Sequence, residues 1–387
     1  MTESVLWERN TMSLWRPRVK PEHRPYLTRD GHVRIGSVVH GIGAEIEDPD
    51  GWVWSLTRSL DGTRTASEIA DAIAAAHPGL TTGDVLGAIA DLAEAGFLED
   101  ASAPVPAEFS GRDKERYGRG VALLRWMDRS PRTESWELQL GLARARVLLV
   151  GLGGAGGIAA QGLVASGVGH LHCLDPDVVE LSNLNRQVLY RERDIGRPKV
   201  DAALESLRAL NSDVEITGAR AEIGGPGDLE GLLRQGPHGG GHDLLVLSAD
   251  HPPEIRHWAN RACLSTGTPW VEGGYRGPNV SVGVYVPGRG ACFACHRDQD
   301  ADSRDLRLGP GQDAASVSPR MDWGPVNAAT ATLSAGLLVH AALSTLTGVP
   351  AVEPGFRYGI NLMLPGEPEV NWYPRRPDCP ACGGSAS

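Results

Sequence analysis

Two kinds of chemistry are written into this sequence by residue type and spacing. The first is metal ligation: Cys292-Phe293-Ala294-Cys295 and Cys379-Pro380-Ala381-Cys382 make two C-x-x-C pairs. Four thiolates match a closed tetrahedral Zn²⁺ site, and with every position filled by protein its role is structural. The second is anion binding. An apolar run, Val147 to Val150, reads as a buried parallel strand, after which the chain turns through Gly151, Gly153, Gly154 and Gly156 into a small-residue helix. A second strand, Leu171 to Leu174, ends on Asp175. Strand, glycine turn, helix, strand and acid is the plan of a mononucleotide-binding unit. Backbone N–H groups there approach a phosphate, and the acid bonds a ribose hydroxyl.

The glycine pattern alone suits an NAD dehydrogenase equally well. The residues beyond Asp175 separate the two readings. Ser182-Asn183-Leu184-Asn185-Arg186-Gln187 packs amides and a guanidinium together, and Gly196-Arg197-Pro198-Lys199 adds a turn and a lysine. That density of anion-binding donors suits a triphosphate. The run from His242 to Asp250 reads as another buried strand, ending on a second acid, Asp250. Alternation of this kind predicts an α/β fold with a doubly wound, mainly parallel sheet, whose ligands sit at strand C-terminal ends, where Asp175 and Asp250 lie.

The surrounding chain divides into four stretches. Residues 1–30, rich in Trp, Arg and Pro without periodicity, read as an irregular arm. Residues 31–105 read as a small winged-helix module: short strands at 32–36 and 38–46, a helix at 52–60, then two more. Thr65 caps the second helix with Glu68 closing a capping box, and Thr82 caps the third. Residues 106–145 are a linker and helical segment, and residues 146–387 are the sheet domain. Strands are expected at 214–217, 280–286, 355–364 and 369–373, with a long helix at 326–346. The polar stretch 297–325 has the composition of a lid.

Composition narrows the partners. The 387 residues carry a net charge of −11 and no sustained basic block, which excludes nucleic acid as the main partner; the third helix of the small module, Gly83 to Ala95, has no Lys or Arg. No apolar run reaches the roughly 18 residues of a membrane span, and Met1 to Asn10 lacks the pattern of a signal peptide, so a cytoplasmic protein without membrane contact is expected. Cys173 and Cys263 read as core residues.

Taken together, GLGGAG, the Asp175 strand end, SNLNRQ, the G-x-P-K lysine, the acid at Asp250 and the paired knuckles resemble the ThiF/MoeB superfamily of adenylating enzymes, over about residues 115 to 384. This is the fold at the core of ubiquitin-activating enzymes. SADHPPEIRHWANRAC, PWVEGGY and YVPGRGACFAC look most like the branch that adenylates microcin C, and the pantocin branch is related. DPDGWVWSLTRSLDGTRTASEIADAI resembles PqqD-like domains, which bind the leader of ribosomally made peptides by adding it as a strand.

The resemblance implies a set of roles. ATP is bound with Gly151, Gly153, Gly154 and Gly156 around its phosphates and Asp175 on its ribose. Asn183, Arg186, Gln187 and Lys199 contact the triphosphate, Asp250 holds Mg²⁺, and Arg119 reaches across a homodimer interface to the other protomer's nucleotide. The reaction implied is adenylation of a carboxylate on a ribosomally made precursor peptide. The alternatives are an activator of a ubiquitin-like sulfur carrier, a non-catalytic leader-binding scaffold and, last, a dehydrogenase. Two departures stand out. His251-Pro252-Pro253 follows the acid, pushing Arg256 one residue further on, and no cysteine lies between His296 and Val326, which argues against a thioester step.

Overall fold

A computed structural model of the chain describes residues 15–37, 42–303, 306–317, 324–364 and 366–383. Their contacts divide into two units, one running to Leu140 and taking in Val349–Ala351, the other formed by Gly141–Gly348 and the chain from Val352 onward.

In the first unit, β1 (Pro17–Val19), β2 (Tyr26–Leu27), β3 (Val33–Ser37) and β4 (Ile42–Ile46) precede three helices, α1 (Trp52–Ser59), α2 (Ala66–Ala76) and α3 (Thr82–Glu94), and then β5 (Leu98–Asp100). The Trp/Arg/Pro-rich arm is therefore not all irregular. β1 pairs antiparallel with β5 and β2 with β3, while Asp100 accepts the N–H groups of Trp15 and Arg16 at 2.9 and 3.1 Å. β4 pairs only with β3, so its outer edge is open among the described residues; residues 38–41 of the expected second strand lie outside them. The capping box at Thr65 and Glu68 forms. The cap of α3 is Thr81, one residue earlier than expected, because Asp84 lies three residues beyond Thr81 and closes its box. Ile35, Leu56, Ile69, Val85, Ile89 and Phe97 make the core. α4 (Gly111–Met127) starts on a Ser110–Asp113 capping box, earlier than its apolar spacing suggests. α5 (Trp136–Arg144) leads out of the unit.

The second unit runs β6 (Arg146–Val150), α6 (Gly154–Ala165), β7 (His170–Leu174), α7 (Lys199–Leu210), β8 (Glu215–Ala219), α8 (Pro226–Arg234), β9 (Leu244–Leu247), α9 (Ile255–Thr266), β10 (Trp270–Arg276) and β11 (Asn279–Tyr285). α10 (Phe293–Ser303), α11 (Ala314–Val317), α12 (Ala328–Thr347), β12 (Phe356–Asn361) and β13 (Pro368–Trp372) follow. α10 and α11 occupy part of the stretch read as a lid; residues 304–305 and 318–323 of it lie outside the described residues.

One eight-stranded sheet has the order β13-β12-β11-β10-β9-β6-β7-β8. β8, β7, β6, β9 and β10 are parallel, and β11 to β13 continue the sheet antiparallel. Alternate strand residues bury on opposite faces: Val147 and Leu149 pack with α6, α7 and α12, and Leu148 and Val150 with α8 and α9. The chain moves outward from β6 to β8 and returns at β9 on the other side of β6. The strand order thus reverses between β6 and β9, the crevice where open parallel sheets take ligands.

Over an 18-residue window of its 20 residues, α12 has a mean hydropathy of 1.4. It is long and apolar enough to cross a membrane, although interspersed Thr, Ser and His break up any continuous apolar run. It packs instead as a core helix against α6 and β10, burying Ala331, Ala335, Leu338 and Ala342. A side chain at Gly162 would meet Val339 Cγ2 at 2.7 Å, so glycine there permits the close approach of α6.

Candidate functional site

A cavity of about 480 Å³ opens where β6, β7 and β9 end. Its floor is the glycine turn. Gly151 has φ +97°, and a Cβ there would meet Ala249 N at 2.7 Å, so this turn and its approach to the end of β9 both require glycine. Gly156 packs back on the turn, where a Cβ would stand 1.9 Å from Gly151 O. Gly151, Gly153 and Gly154 line the cavity at the N-terminus of α6, a site suited to an anion. Gly156 supports the turn from behind.

Asp175, buried at the end of β7, clamps this turn. Its Oδ2 accepts the Leu152 N–H at 2.6 Å and its Oδ1 the Asp177 N–H at 2.9 Å. The acid expected at the ribose thus fixes the glycine turn. Lys199, the first residue of α7, points its Nζ at Asp177 Oδ2 (2.8 Å) and lies 4.0 Å from Asp175 Oδ1. Arg186 is half-buried at the cavity wall, held by Nη1–H donation to Ser182 O and Asn185 Oδ1, both at 3.0 Å. Gln187 lines the same cavity. Its Oε1 is buried with no partner among the described residues.

One expected contact lies outside this cavity. Asn183 does not line the cavity: its Oδ1 accepts the Glu180 N–H at 3.1 Å and closes the 3₁₀ turn that presents Arg186. Its amide is occupied by local capping, the usual competitor for Asn side chains. Arg119, expected to serve the other protomer's nucleotide, is exposed on α4 in the first unit.

Asp250 stands beyond β9 with a largely exposed side chain, and Arg256 donates its Nη2–H to Asp250 Oδ1 at 2.8 Å. The same guanidinium donates Nε–H to Glu272 Oε2 at 2.9 Å. Glu272 is 1 % exposed, and Arg357 Nε lies 3.3 Å from its other oxygen. Burial pushes the Glu272 carboxyl up, but Arg357 and Arg256 outweigh it and hold the group below its ordinary value, as a carboxylate. The sequence reading singled out neither Glu272 nor Arg357. A charged residue inside the otherwise apolar β10 was the available signal for the first; nothing local marked the second. Asp177 and Tyr275 also line the cavity without having been expected there.

A second cavity, about 800 Å³, adjoins the first and shares Asp250, His251, Gly274 and Tyr275 with it.

The four knuckle cysteines converge at the start of α10. Sγ–Sγ distances are 3.9 Å (Cys292–Cys295), 3.8 Å (Cys292–Cys379) and 3.5 Å (Cys295–Cys382), and all four sulfurs lie within 4.8 Å of one another. Sulfurs about 2.3 Å from a tetrahedral ion stand roughly 3.8 Å apart, so this geometry fits Zn²⁺. Among the described residues no other group of three or more Cys, His or acidic ligands gathers.

Residues 127–381 match the model of the ThiF family. The chain belongs to that family. It is 34% identical over 191 residues to the molybdopterin-synthase adenylyltransferase of Escherichia coli (strain K12), covering 49% of this chain and 70% of that protein. With the adenylyltransferase and sulfurtransferase MOCS3 of Sus scrofa it shares 36% identity over 248 residues, 63% of this chain; the chain spans about half the length of the MOCS3 relatives it matches. Among solved structures, E. coli MccB superimposes with a TM-score of 0.71 at 20% identity, covering 96% of this chain and 98% of that one. MccB with ATP gives 0.67 at 21%, covering 95% and 99%. PaaA gives 0.64 at 25%, covering 91% and 99%.

Proposed function

We propose that this protein is an ATP-dependent adenylyltransferase acting on a carboxylate of a ribosomally made peptide. The observation that carries the reading is the convergence of Lys199, Arg186 and Asp250 on one glycine-floored cavity at the strand reversal. A carboxylate oxygen attacks the α-phosphorus of ATP; the bond from that phosphorus to the bridging oxygen breaks, and pyrophosphate leaves with the electron pair. Little covalent help is needed from the protein, whose work is alignment and neutralisation of phosphate charge. Lys199 and Arg186 supply cations, Asp175 and Gln187 orient the nucleoside, and Asp250 would hold Mg²⁺, which supplies further neutralisation when bound. Zn²⁺ on the four cysteines would be structural.

The peptide half of the reading draws support from two sources. The solved neighbour MccB, titled a microcin C7 biosynthetic enzyme, has been crystallised with N-formylated MccA. In the first unit, β4 offers an open edge of the kind that captures an extended peptide by backbone hydrogen bonds. A second reading, activation of a sulfur-carrier protein, is favoured by the identity to the molybdopterin-synthase adenylyltransferase.

The deciding experiment is ATP–pyrophosphate exchange with short peptides encoded beside the gene and, separately, with a carrier ending in Gly-Gly. Exchange stimulated by a peptide and abolished in Asp250→Asn supports the proposal. Exchange with the carrier alone establishes the second reading. ATP binding without exchange in any case leaves a scaffold. Removal of residues 1–105 should raise the KM for peptide and spare ATP affinity; an unchanged KM would refute leader recognition. If Arg119 serves a partner protomer, mixing inactive Arg119→Ala and Asp250→Asn chains should restore part of the activity, and no restoration would reject the shared site.

A further inference from the structure

Building on the adenylation reading, we infer that the second cavity binds a second carboxylate of the substrate, so that the protein activates acidic, dicarboxylate-bearing peptide segments. The cavity adjoins the nucleotide site through Asp250 and Tyr275, so whatever fills it lies beside the reacting centre. Its charge inventory is unbalanced. Arg256 and Arg357 neutralise Asp250 and Glu272. Arg276, at the end of β10, and Arg297, on α10, also line it; both are exposed, and neither has an ion pair or hydrogen bond among the described residues. Two uncompensated guanidiniums thus face a cavity whose other charges cancel.

The triphosphate does not require them, because its cations, Arg186 and Lys199, line the first cavity and not the second. The reacting carboxylate does not require both either: at the wall shared by the two cavities it is one charge, and it is consumed as the mixed anhydride forms. What remains is an anion farther out. A guanidinium offers a planar fork of donors that pairs two-to-two with a carboxylate, and it discriminates against a carboxamide, which carries no charge and presents only one acceptor oxygen. The backbone favours a fixed recognition site, since Arg276 is paired with Asn279 in the β10–β11 hairpin.

The test measures binding, so that it stands apart from turnover. The full chain, saturated with α,β-methylene-ATP, is titrated calorimetrically with N-acetyl-Gly-Ala-Glu and with N-acetyl-Gly-Ala-Gln at low and at moderate salt. The Glu peptide should bind about tenfold more tightly, with the preference shrinking as salt rises. In the Arg276→Gln/Arg297→Gln double variant, whose fold is checked by circular dichroism, the two peptides should bind alike. Equal affinities in the parent protein, a preference that survives the double substitution, or no measurable binding of the Glu peptide would each overturn the inference. Pyrophosphate release is read separately: a retained preference without release rejects adenylation and keeps the dicarboxylate site, whereas release without preference does the reverse.

Discussion

Arg256 donates one N–H to Asp250 at 2.8 Å while a second N–H of the same guanidinium is held by Glu272 at 2.9 Å. The exposed acid proposed for catalysis is therefore tethered to a buried one in the core of the sheet. Arg256 lies one position later in sequence than the ThiF/MoeB pattern places it, yet it still reaches both carboxylates.

Glu272 should be the most sensitive position for stability. Glu272→Ala leaves Arg256 and Arg357 without their buried counter-charge, a loss of about 3–5 kcal/mol by analogy with broken buried pairs. Urea denaturation of the variant should show this as a shifted midpoint with unchanged slope. A cost below about 1 kcal/mol would mean that solvent reaches the site and compensates.

Lys199 and Asn183 should separate cleanly, although both resemble triphosphate contacts. Lys199→Ala should lower kcat/KM by about 10²–10³-fold, the scale of losing one preorganised charge donor. Asn183→Ala should cost about 1 kcal/mol of stability, the scale of a lost cap, and leave the KM for ATP within about threefold. A large rise in that KM without loss of stability would restore Asn183 to direct contact.

Acid should destabilise the fold through its buried imidazoles. The rings of His170, His172 and His242 lie 5.9–6.4 Å apart beside Thr217, and burial pushes His242 down to about 4, with His172 lowered for the same reason. His23, in the first unit, is likewise pushed to about 4 by burial and the Lys20 charge. Each folded pKa lies below the unfolded one, so the unfolded state binds more protons between about pH 6.5 and 4. Stability should fall with pH through that window, by roughly 3 kcal/mol at most for His242. Tm measured from pH 7 to pH 4 should drop, and His242→Gln should flatten the slope; an unaltered slope would assign the effect to other groups.

Metal removal should act on the fold before it acts on the chemistry. One Zn²⁺ per chain is expected by elemental analysis, and Cys379→Ser or a strong chelator should lower Tm, with a cost on the order of several kcal/mol. Unchanged Tm after verified metal loss would show that the cysteines are dispensable for folding.

How much of this was readable beforehand depended on the range of the contacts. The glycine turn, Asp175 and Lys199 were legible because a βαβ unit places them by local geometry, and Gly151 has a conformation that only the turn explains. The knuckles were legible because identical ligands announce each other across the chain. β1 was not: three residues without periodicity become a strand only by pairing with Leu98–Asp100. Asn183 was ambiguous because a capping amide and a phosphate-binding amide are the same residue in sequence. Glu272 and Arg357 are 85 residues apart, and only the pairing of β10 with β11 and of β11 with β12 brings them together.

The cysteine cluster also sets an order of events during synthesis. Cys292 and Cys379 are separated by 87 positions, and the chain between them carries α12, β12 and β13, including Arg357. The parallel strands β6 to β10 are made first, but the face that α12 covers stays open until Ala335, Leu338 and Ala342 have followed. The antiparallel half cannot be fastened until Cys382 has been made, so the ion locks the Arg357-bearing wall last.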